Sequence, residues 1–182
     1  VHLFGMNGSS LIIDKGAQLQ AIGKADSMIH FTSAQPVLSR AAGDWIGVAM
    51  IGKANNNESN NTPIIRNSTS YYGGSTINND NSGTLRYVSI AYAGQQVMGD
   101  TYADALVLSS VGTGTTIDHV QIINPLRNGI QILGGTVDLN DIYVQNAKYA
   151  DAVIQKGYQG NIEQFLGIKN SSMETFGSDA KG

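Results

Sequence analysis

The chain has 182 residues, enough to bury one sizeable core without a second domain. It contains no cysteine, which excludes a disulfide framework and a cysteine zinc site. With 11 Lys and Arg against 14 Asp and Glu, its net charge is −3 and no basic run occurs, so we expect no nucleic-acid partner. No apolar run approaches the roughly 20 residues that a membrane span needs, so we expect none.

The first third of the chain is predicted to form short strands separated by turns. Leu11–Ile13, Ala17–Ala21 and Ile29–Ser33 are rich in apolar or alternating residues, and Gly and Asp mark the breaks between them. Trp45 is the only tryptophan and stands at the start of a strand after Gly43 and Asp44. We expect it to pack in a corner of the fold rather than to stack on a sugar from the surface.

Residues 54–83 interrupt the strand pattern with a segment rich in Asn, Ser, Thr and Gly. Insertions in repeat proteins project from one face, which is often the binding face, and this one carries Tyr71 and Tyr72. Since the segment has no repeat partner, we expect that residues 55–82 can be removed with the rest still folding. A strand resumes at residues 85–90, and a smaller insertion, 93–103, follows Tyr92 and contains Tyr102.

The second half of the chain repeats itself. Ile117–Asn124 matches Leu139–Asn146 position for position, 22 residues later, and Ile162–Asn170 is a looser third copy. A period of this length predicts a solenoid, and strands without a helical stripe predict a parallel β-helix. We therefore predict an all-β protein, a right-handed parallel β-helix of about five to seven coils, over residues 1–170. Residues 171–182 lose the pattern and are expected to be a tail or linker.

The repeat also predicts which side chains meet, because equal positions of successive coils stack on one another. Apolar positions should fill the interior, and the polar positions between them should face solvent. Arg86 is expected beside Asp118, and Tyr87 beside His119. The interior columns are Ile117, Leu139, Ile162 and Val88, Val120, Ile142, Phe165, with a further column of Leu108 and Ile132 that would end at Gln155.

Several segments, in order, carry a resemblance to a known family. They are Gly16–Gly23, Met28–Ser33, Gly43–Val48, Thr115–Ile122 and Asn128–Val137. They resemble the bacterial exported β-helix proteins of the pectate-lyase-like superfold, which are largely uncharacterised surface proteins and lipoproteins. The resemblance implies a right-handed β-helix at the cell surface or outside the cell, although no signal peptide is visible here. Where relatives often carry paired Asp, this chain has Ala150-Asp151.

A polysaccharide lyase or hydrolase is one functional hypothesis. It would need a base, an acid and a cation that neutralises the substrate carboxylate. The candidates for catalysis are Asp104, Asp151 and Lys156, with Tyr158 and Arg127 nearby in the pattern. Asp104, Asn128 and Asp151 are spaced 24 and 23 residues apart and would be the Ca²⁺ ligands. The competing interpretation is that Asp and Asn hydrogen-bond the turn backbone at the start of each strand, and then no cofactor is needed.

We expect a non-catalytic module instead. Tyr71, Tyr72, Tyr92 and Tyr102 lie in or beside the two insertions, where their rings could stack on a glycan or another component of a bacterial cell surface. A third hypothesis is a structural subunit that assembles end to end, because open coil ends carry unpaired strand edges that pair with other chains.

Overall fold

The computed structural model describes residues 1–58, 63–66 and 69–170. These residues form strands and one short 3-10 helix, Val37–Ser39. In chain order the strands are β1 (His2–Gly5), β2 (Ser10–Ile13), β3 (Leu19–Ile22), β4 (Ile29–Ser33), β5 (Gly47–Ile51), β6 (Pro63–Arg66), β7 (Thr69–Tyr72), β8 (Gly83–Ala91), β9 (Gln96–Met98), β10 (Thr101–Tyr102), β11 (Leu106–Val111), β12 (Thr116–Ile123), β13 (Ile130–Gly135), β14 (Leu139–Gln145), β15 (Ala152–Gln155) and β16 (Ile162–Ile168). Among the described residues, no helix is long and apolar enough to span a membrane.

The chain winds between two sheets that stack in parallel. In sheet A the order is β1-β4-β8-β12-β14-β16, with β3 also pairing with β8, and in sheet B it is β2-β5-β11-β13-β15. Each circuit of the chain adds a strand to sheet A and then one to sheet B, and every pairing within the two sheets is parallel. The five strands of sheet B and the additional β16 give five coils and part of a sixth. The predicted parallel β-helix is confirmed.

The long strands of sheet A bend once at a fixed position. Tyr87, His119, Asp141 and Gln164 have positive φ angles of 50°, 51°, 51° and 55°. The pairing of β8 with β12 and of β12 with β14 includes the residues on both sides of the bend but not the bend residues themselves. β3 pairs with the part of β8 before the bend, Gly83–Arg86, and β4 pairs with the part after it, Val88–Ile90. Because the bend recurs in four successive coils, its side chains form an outward-facing column, which we call the corner column.

The interior consists of the predicted apolar columns. Val120 pairs with Val88 and Ile142, and all three are at most 1% exposed. Ile162 and Phe165 continue their columns in β16 and are partly buried against the core. The interior is therefore built by equal positions of successive coils, as the repeat predicts.

One part of the expected register is wrong. Ile132 pairs with Ile154, not with Gln155, and Ile130 pairs with Ala152. The third copy of the repeat therefore keeps the 22-residue offset through β15. The additional residue enters in the turn between β15 and β16, because Leu139 pairs with Ile162. The apolar column is thus unbroken, and Asp151 lies one position beyond the column of Asp104 and Asn128.

Trp45 has the packing role that the sequence suggested. It is 1% exposed, and its Nε1 donates a hydrogen bond of 2.8 Å to the carbonyl of Ala91. A Cβ atom on Gly5 would lie 2.4 Å from the indole ring, so the first coil closes over the tryptophan at a position where only glycine fits.

The long insertion starts by crossing several coils. The Ala54 N–H donates to the Ser110 carbonyl at 2.8 Å, and the Asn57 N–H donates to the Lys156 carbonyl at 3.0 Å. Between them, the Asn55 carbonyl accepts from the Gly135 N–H at 2.7 Å. Residues 52–58 therefore run along the stack and join the ends of β11, β13 and β15.

The chain then returns along the same side of the coils, at residues 73–82. The Asn78 carbonyl accepts from Thr136 Oγ1 at 2.6 Å, and Asp80, 8% exposed, accepts from the Lys53 N–H at 3.0 Å. We call residues 52–58 and 73–82 the strap. Between its two halves, β6 and β7 form an antiparallel hairpin. The expectation that all of residues 55–82 are dispensable is therefore revised, because most of the strap packs on the coils.

Candidate functional site

The structure separates the candidate catalytic residues. Asp151 precedes β15 and Lys156 follows it. At about 3.3 Å per residue, five extended steps put their backbones roughly 16 Å apart. Lys156 Nζ lies 2.5 Å from Glu58 Oε1, and Asp104 is 2% exposed with Oδ1 3.7 Å from Arg127 Nη1. These acids and this cation do not face one cleft.

The proposed Ca²⁺ ligands are also divided. Asn128 is 6% exposed, and its Oδ1 accepts a hydrogen bond of 3.0 Å from the Ala150 N–H. This is the turn-bonding role of asparagine that the sequence left open as the alternative. Asp151 lies one register position away from the column of Asp104 and Asn128. The Ca²⁺ site remains a prediction that this geometry does not favour.

Asp151 is a partly buried acid in a crowded environment. A Cβ atom on Gly167 would lie 2.4 Å from its Oδ2, and its Oδ1 has no hydrogen-bond partner among the described residues. Burial raises the pKa of this carboxyl above its ordinary value, and the positive charge of Lys169 opposes that rise. Because the folded chain holds the proton more tightly than the unfolded chain, ionisation of Asp151 lowers stability as the pH rises through its folded pKa.

We expect Asp151→Asn to raise the melting temperature at pH 7, because the amide removes the cost of the buried charge. Well below pH 3.8, the ordinary pKa, both folded and unfolded chains are protonated and the gain should vanish. Thermal melts of wild type and variant across this pH range measure the difference. Asp26→Asn, in an exposed turn, is the matched control. A lower melting temperature for Asp151→Asn at pH 7 would contradict this account.

The corner column and the residues just before it in β8 and β12 carry a network of ionisable side chains. Asp118 accepts from Arg86 Nε at 2.9 Å and lies 2.6 Å from His119 Nδ1, while His119 Nε2 is 3.4 Å from Asp141. The Tyr87 and His119 rings are 4.3 Å apart. The two predicted neighbour pairs, Arg86 with Asp118 and Tyr87 with His119, are confirmed.

Asp118, His119 and Asp141 could hold a metal, since their ligand atoms lie within 4.8 Å of one another. However, both imidazole nitrogens already face carboxylates, and the guanidinium of Arg86 occupies the other oxygen of Asp118. A metal would have to displace this cation. The network is explained as a cross-strand ion ladder, in which each exposed pair contributes about 1 kcal/mol or less.

A second corner, which follows sheet A in each coil, has a groove that the sequence reasoning missed. Tyr92, Asn124 and Asn146 have φ angles of 62°, 51° and 58° at equivalent positions. Asn146 Nδ2 donates to Asn124 Oδ1 at 2.9 Å, and the Asn170 N–H donates to Asn146 Oδ1 at 3.2 Å. This asparagine ladder forms the floor of a groove of about 290 Å³, which we call the ladder groove. Arg40, Tyr92, Asn124, Asn146, Lys148 and Asn170 line it.

The signal for the ladder groove was partly present in the repeat. Each copy closes with an Asn, and the position of Tyr92 aligns with those residues in the coil register. Arg40 precedes β5 and lies outside the repeated elements, so no periodic pattern could place it in the groove.

The four candidate tyrosines do not form one site. Tyr92 lines the ladder groove. Tyr102 ends β10, and its carbonyl accepts from Arg127 Nη1 at 3.0 Å. Tyr72 is 47% exposed on β7. It precedes Gly73, which lies against Ser109 in the second half of β11. The side chain of Tyr71 lies outside the described residues.

Comparison with known families agrees with this architecture. The family described as a pectate-lyase-like beta helix domain matches residues 6–181. No curated protein and no solved structure matches the chain. Since the match extends over nearly the whole chain, and the coils stack as that description requires, the chain belongs to the pectate-lyase-like β-helix domain family.

Proposed function

We propose that this protein is a non-catalytic binding module at the surface of a bacterium, where it takes a glycan or another surface component. The observation that carries the proposal is the separation of the groups needed for catalysis. Lyase chemistry requires a base held against a cation-bound carboxylate, yet Asp104 is buried beside Arg127 and Lys156 is paired with Glu58. An open groove of about 290 Å³ lined by Tyr92 offers a surface for binding instead.

We expect no cleavage of pectate or alginate, with or without Ca²⁺, because the candidate groups Asp104, Asp151 and Lys156 are held apart. The absorbance of unsaturated uronide products would measure cleavage directly. Product formation that disappears in Asp151→Ala or Lys156→Ala would overturn the proposal in favour of the polysaccharide lyase hypothesis.

A glycan array identifies the ligand, and tyrosine variants locate its site. Tyr92→Ala should weaken glycan binding about tenfold, because stacking of a ring on a sugar is lost, while the melting temperature changes little. Tyr72→Ala and Tyr102→Ala test the two insertions separately. Phe4→Ala removes an exposed aromatic ring of the first coil and serves as the control.

End-to-end assembly is a second candidate, favoured by the last coil. Ile154, Leu166 and Ile168 are 50%, 54% and 42% exposed, and β15 and β16 each pair on one side only among the described strands. Unpaired edges of this kind pair with other chains unless they are covered. The mass in solution, measured over a range of protein concentrations, decides between a monomer and a stacked assembly.

A further inference from the structure

We propose that the ladder groove selects an anionic glycan and that Arg40 and Lys148 bind its carboxylate or sulfate groups. The inference rests on the proposed glycan-binding function and names the site and the chemical class of its ligand. The groove differs from the Asp104, Asp151 and Lys156 set and requires neither a metal nor catalysis.

The first argument is charge. No Asp or Glu is among the residues that line the groove. Neither Arg40 nor Lys148 belongs to an ion pair of the described residues, whereas Lys53, Arg86, Arg127 and Lys156 each lie within 4.0 Å of a carboxylate. In a chain of net charge −3, two cations without acidic partners in the described part of the chain therefore face the same concave surface. Such a surface attracts anions and favours charge-assisted hydrogen bonds.

The orientation of Arg40 supports this role. Its Nε donates a hydrogen bond of 3.1 Å to the Gln35 carbonyl, which anchors one edge of the guanidinium. A guanidinium has further N–H donors in a fork that matches a carboxylate or a sulfate. Lys148 lies two residues after Asn146, in the turn that follows β14. It supplies a second positive charge to the groove, from a different coil than Arg40 does.

The second argument is shape. Tyr92, Asn124, Asn146 and Asn170 come from successive coils, so the groove runs along the axis of the solenoid for three coil steps, about 14 Å. An extended oligosaccharide fits such an open path better than a small enclosed molecule does. Asn124 enters the ladder only as an acceptor, which leaves its amide donors for a ligand hydroxyl.

The third argument is the conformation of Tyr92. It occupies the left-handed position that Asn124 and Asn146 fill in the following coils, and asparagine tolerates this conformation better than tyrosine does. Tyr87 is also left-handed, but its ring contacts His119 and lies under Arg86. The ring of Tyr92 has no aromatic or cationic contact within the described part of the chain. The backbone of Tyr92 is held by hydrogen bonds from its carbonyl to the Gly43 and Asp44 N–H groups, so the strain is maintained by the fold. A residue held in this conformation whose ring makes no such contact points to function, here a stacking face at the end of the groove.

Calorimetric titration of the full chain with three oligosaccharides tests the proposal: an oligogalacturonate, a sulfated heparin fragment and a neutral malto-oligosaccharide. We expect the anionic ligands to bind, the neutral one to bind at least tenfold more weakly, and affinity to fall with added salt. The first two ligands distinguish carboxylate from sulfate recognition. Arg40→Gln and Lys148→Gln should each reduce anionic binding about tenfold or more, whereas Lys24→Gln, the same charge change in an exposed turn, should not.

Tyr92→Asn separates binding from folding. The new side chain extends the asparagine ladder by one coil and suits the left-handed backbone, so the melting temperature should stay equal or rise. Binding should nevertheless weaken about tenfold, because the stacking face is lost. A purely structural tyrosine would show the opposite result, a lower melting temperature with unchanged binding.

The outcomes separate the two proposals. If none of these sugars and no glycan on an array binds, the proposed glycan-binding function fails and the inference fails with it. If glycans bind but neutral and anionic ligands bind equally, or if Arg40→Gln and Lys148→Gln bind like wild type, only the ladder-groove inference is overturned.

Discussion

Val120→Asp is expected to unfold the protein, whereas Gln121→Asp, one residue further along β12, is expected to fold. Val120 is 0% exposed and lies between Val88 and Ile142 of the neighbouring coils. No cation lies in this apolar column, and an unpaired buried charge costs several kcal/mol. Because small proteins are stable by only about 5–15 kcal/mol, such a cost removes much or all of the folded state.

The matched variant carries the same charge on the opposite face of the strand. Gln121 is half-buried and pairs with Ser89 and Tyr143, so a carboxylate there keeps contact with water. Circular dichroism and thermal melts of both variants measure the difference. Equal loss of stability in the two variants would show that β12 does not alternate between interior and solvent as described.

Removal of residues 55–82 is expected to destabilise the coils strongly, whereas removal of the hairpin segment alone is expected to be tolerated. The longer deletion takes away Asn78 and Asp80, which bond Thr136 and Lys53, and Asn55, which bonds Gly135. It therefore leaves polar groups of several coils without partners, at a cost of about 1–3 kcal/mol for each buried one.

The shorter deletion joins Glu58 to Gly73 through a short Gly-Ser link. The two halves of the strap are already close there, since Asn56 Nδ2 lies 3.5 Å from the Gly73 carbonyl oxygen. Closing a loop of different length changes the entropy only slightly. Denaturant unfolding of the two deletion variants and the wild type compares their stabilities. A longer deletion as stable as wild type would mean that the strap contributes nothing to the stack.

The two corners of each coil illustrate how one repeat supports different chemistry. Beside the corner column, Asp118 lies 2.9 Å from Arg86 Nε of the neighbouring coil and 2.6 Å from His119 Nδ1. In the ladder groove, Asn146 donates to Asn124, and Arg40 and Lys148 have no acidic partners among the described residues. In the first arrangement the charged groups face one another, whereas in the second two cations line a concave surface.

The sequence by itself determined the coil architecture, because a constant spacing brings equal positions into contact. The columns of Val120 and of Ile117 follow from the amino-acid pattern alone, since burial of identical positions requires only the period and the alternation along a strand. The pairing of Arg86 with Asp118 followed from the same register. The one register error arose because an additional residue could be placed on either side of β15. The sequence Asp151-Ala152-Val153 resembles Asn128-Gly129-Ile130, which suggests an offset of 23, whereas Ile130 pairs with Ala152 at an offset of 22.

Only the tertiary structure decided what the non-repeating segments do. The strap contains no period, so nothing in its composition indicated that residues 52–58 would run along three coils and return with Asp80 buried. Likewise, Arg40 reaches the ladder groove from a segment before β5. Tyr72 precedes Gly73, which lies against Ser109, whereas the Tyr102 carbonyl accepts from Arg127. Repetition specifies which residues of successive coils meet, whereas contacts between a repeat and an insertion depend on the path of the chain in three dimensions.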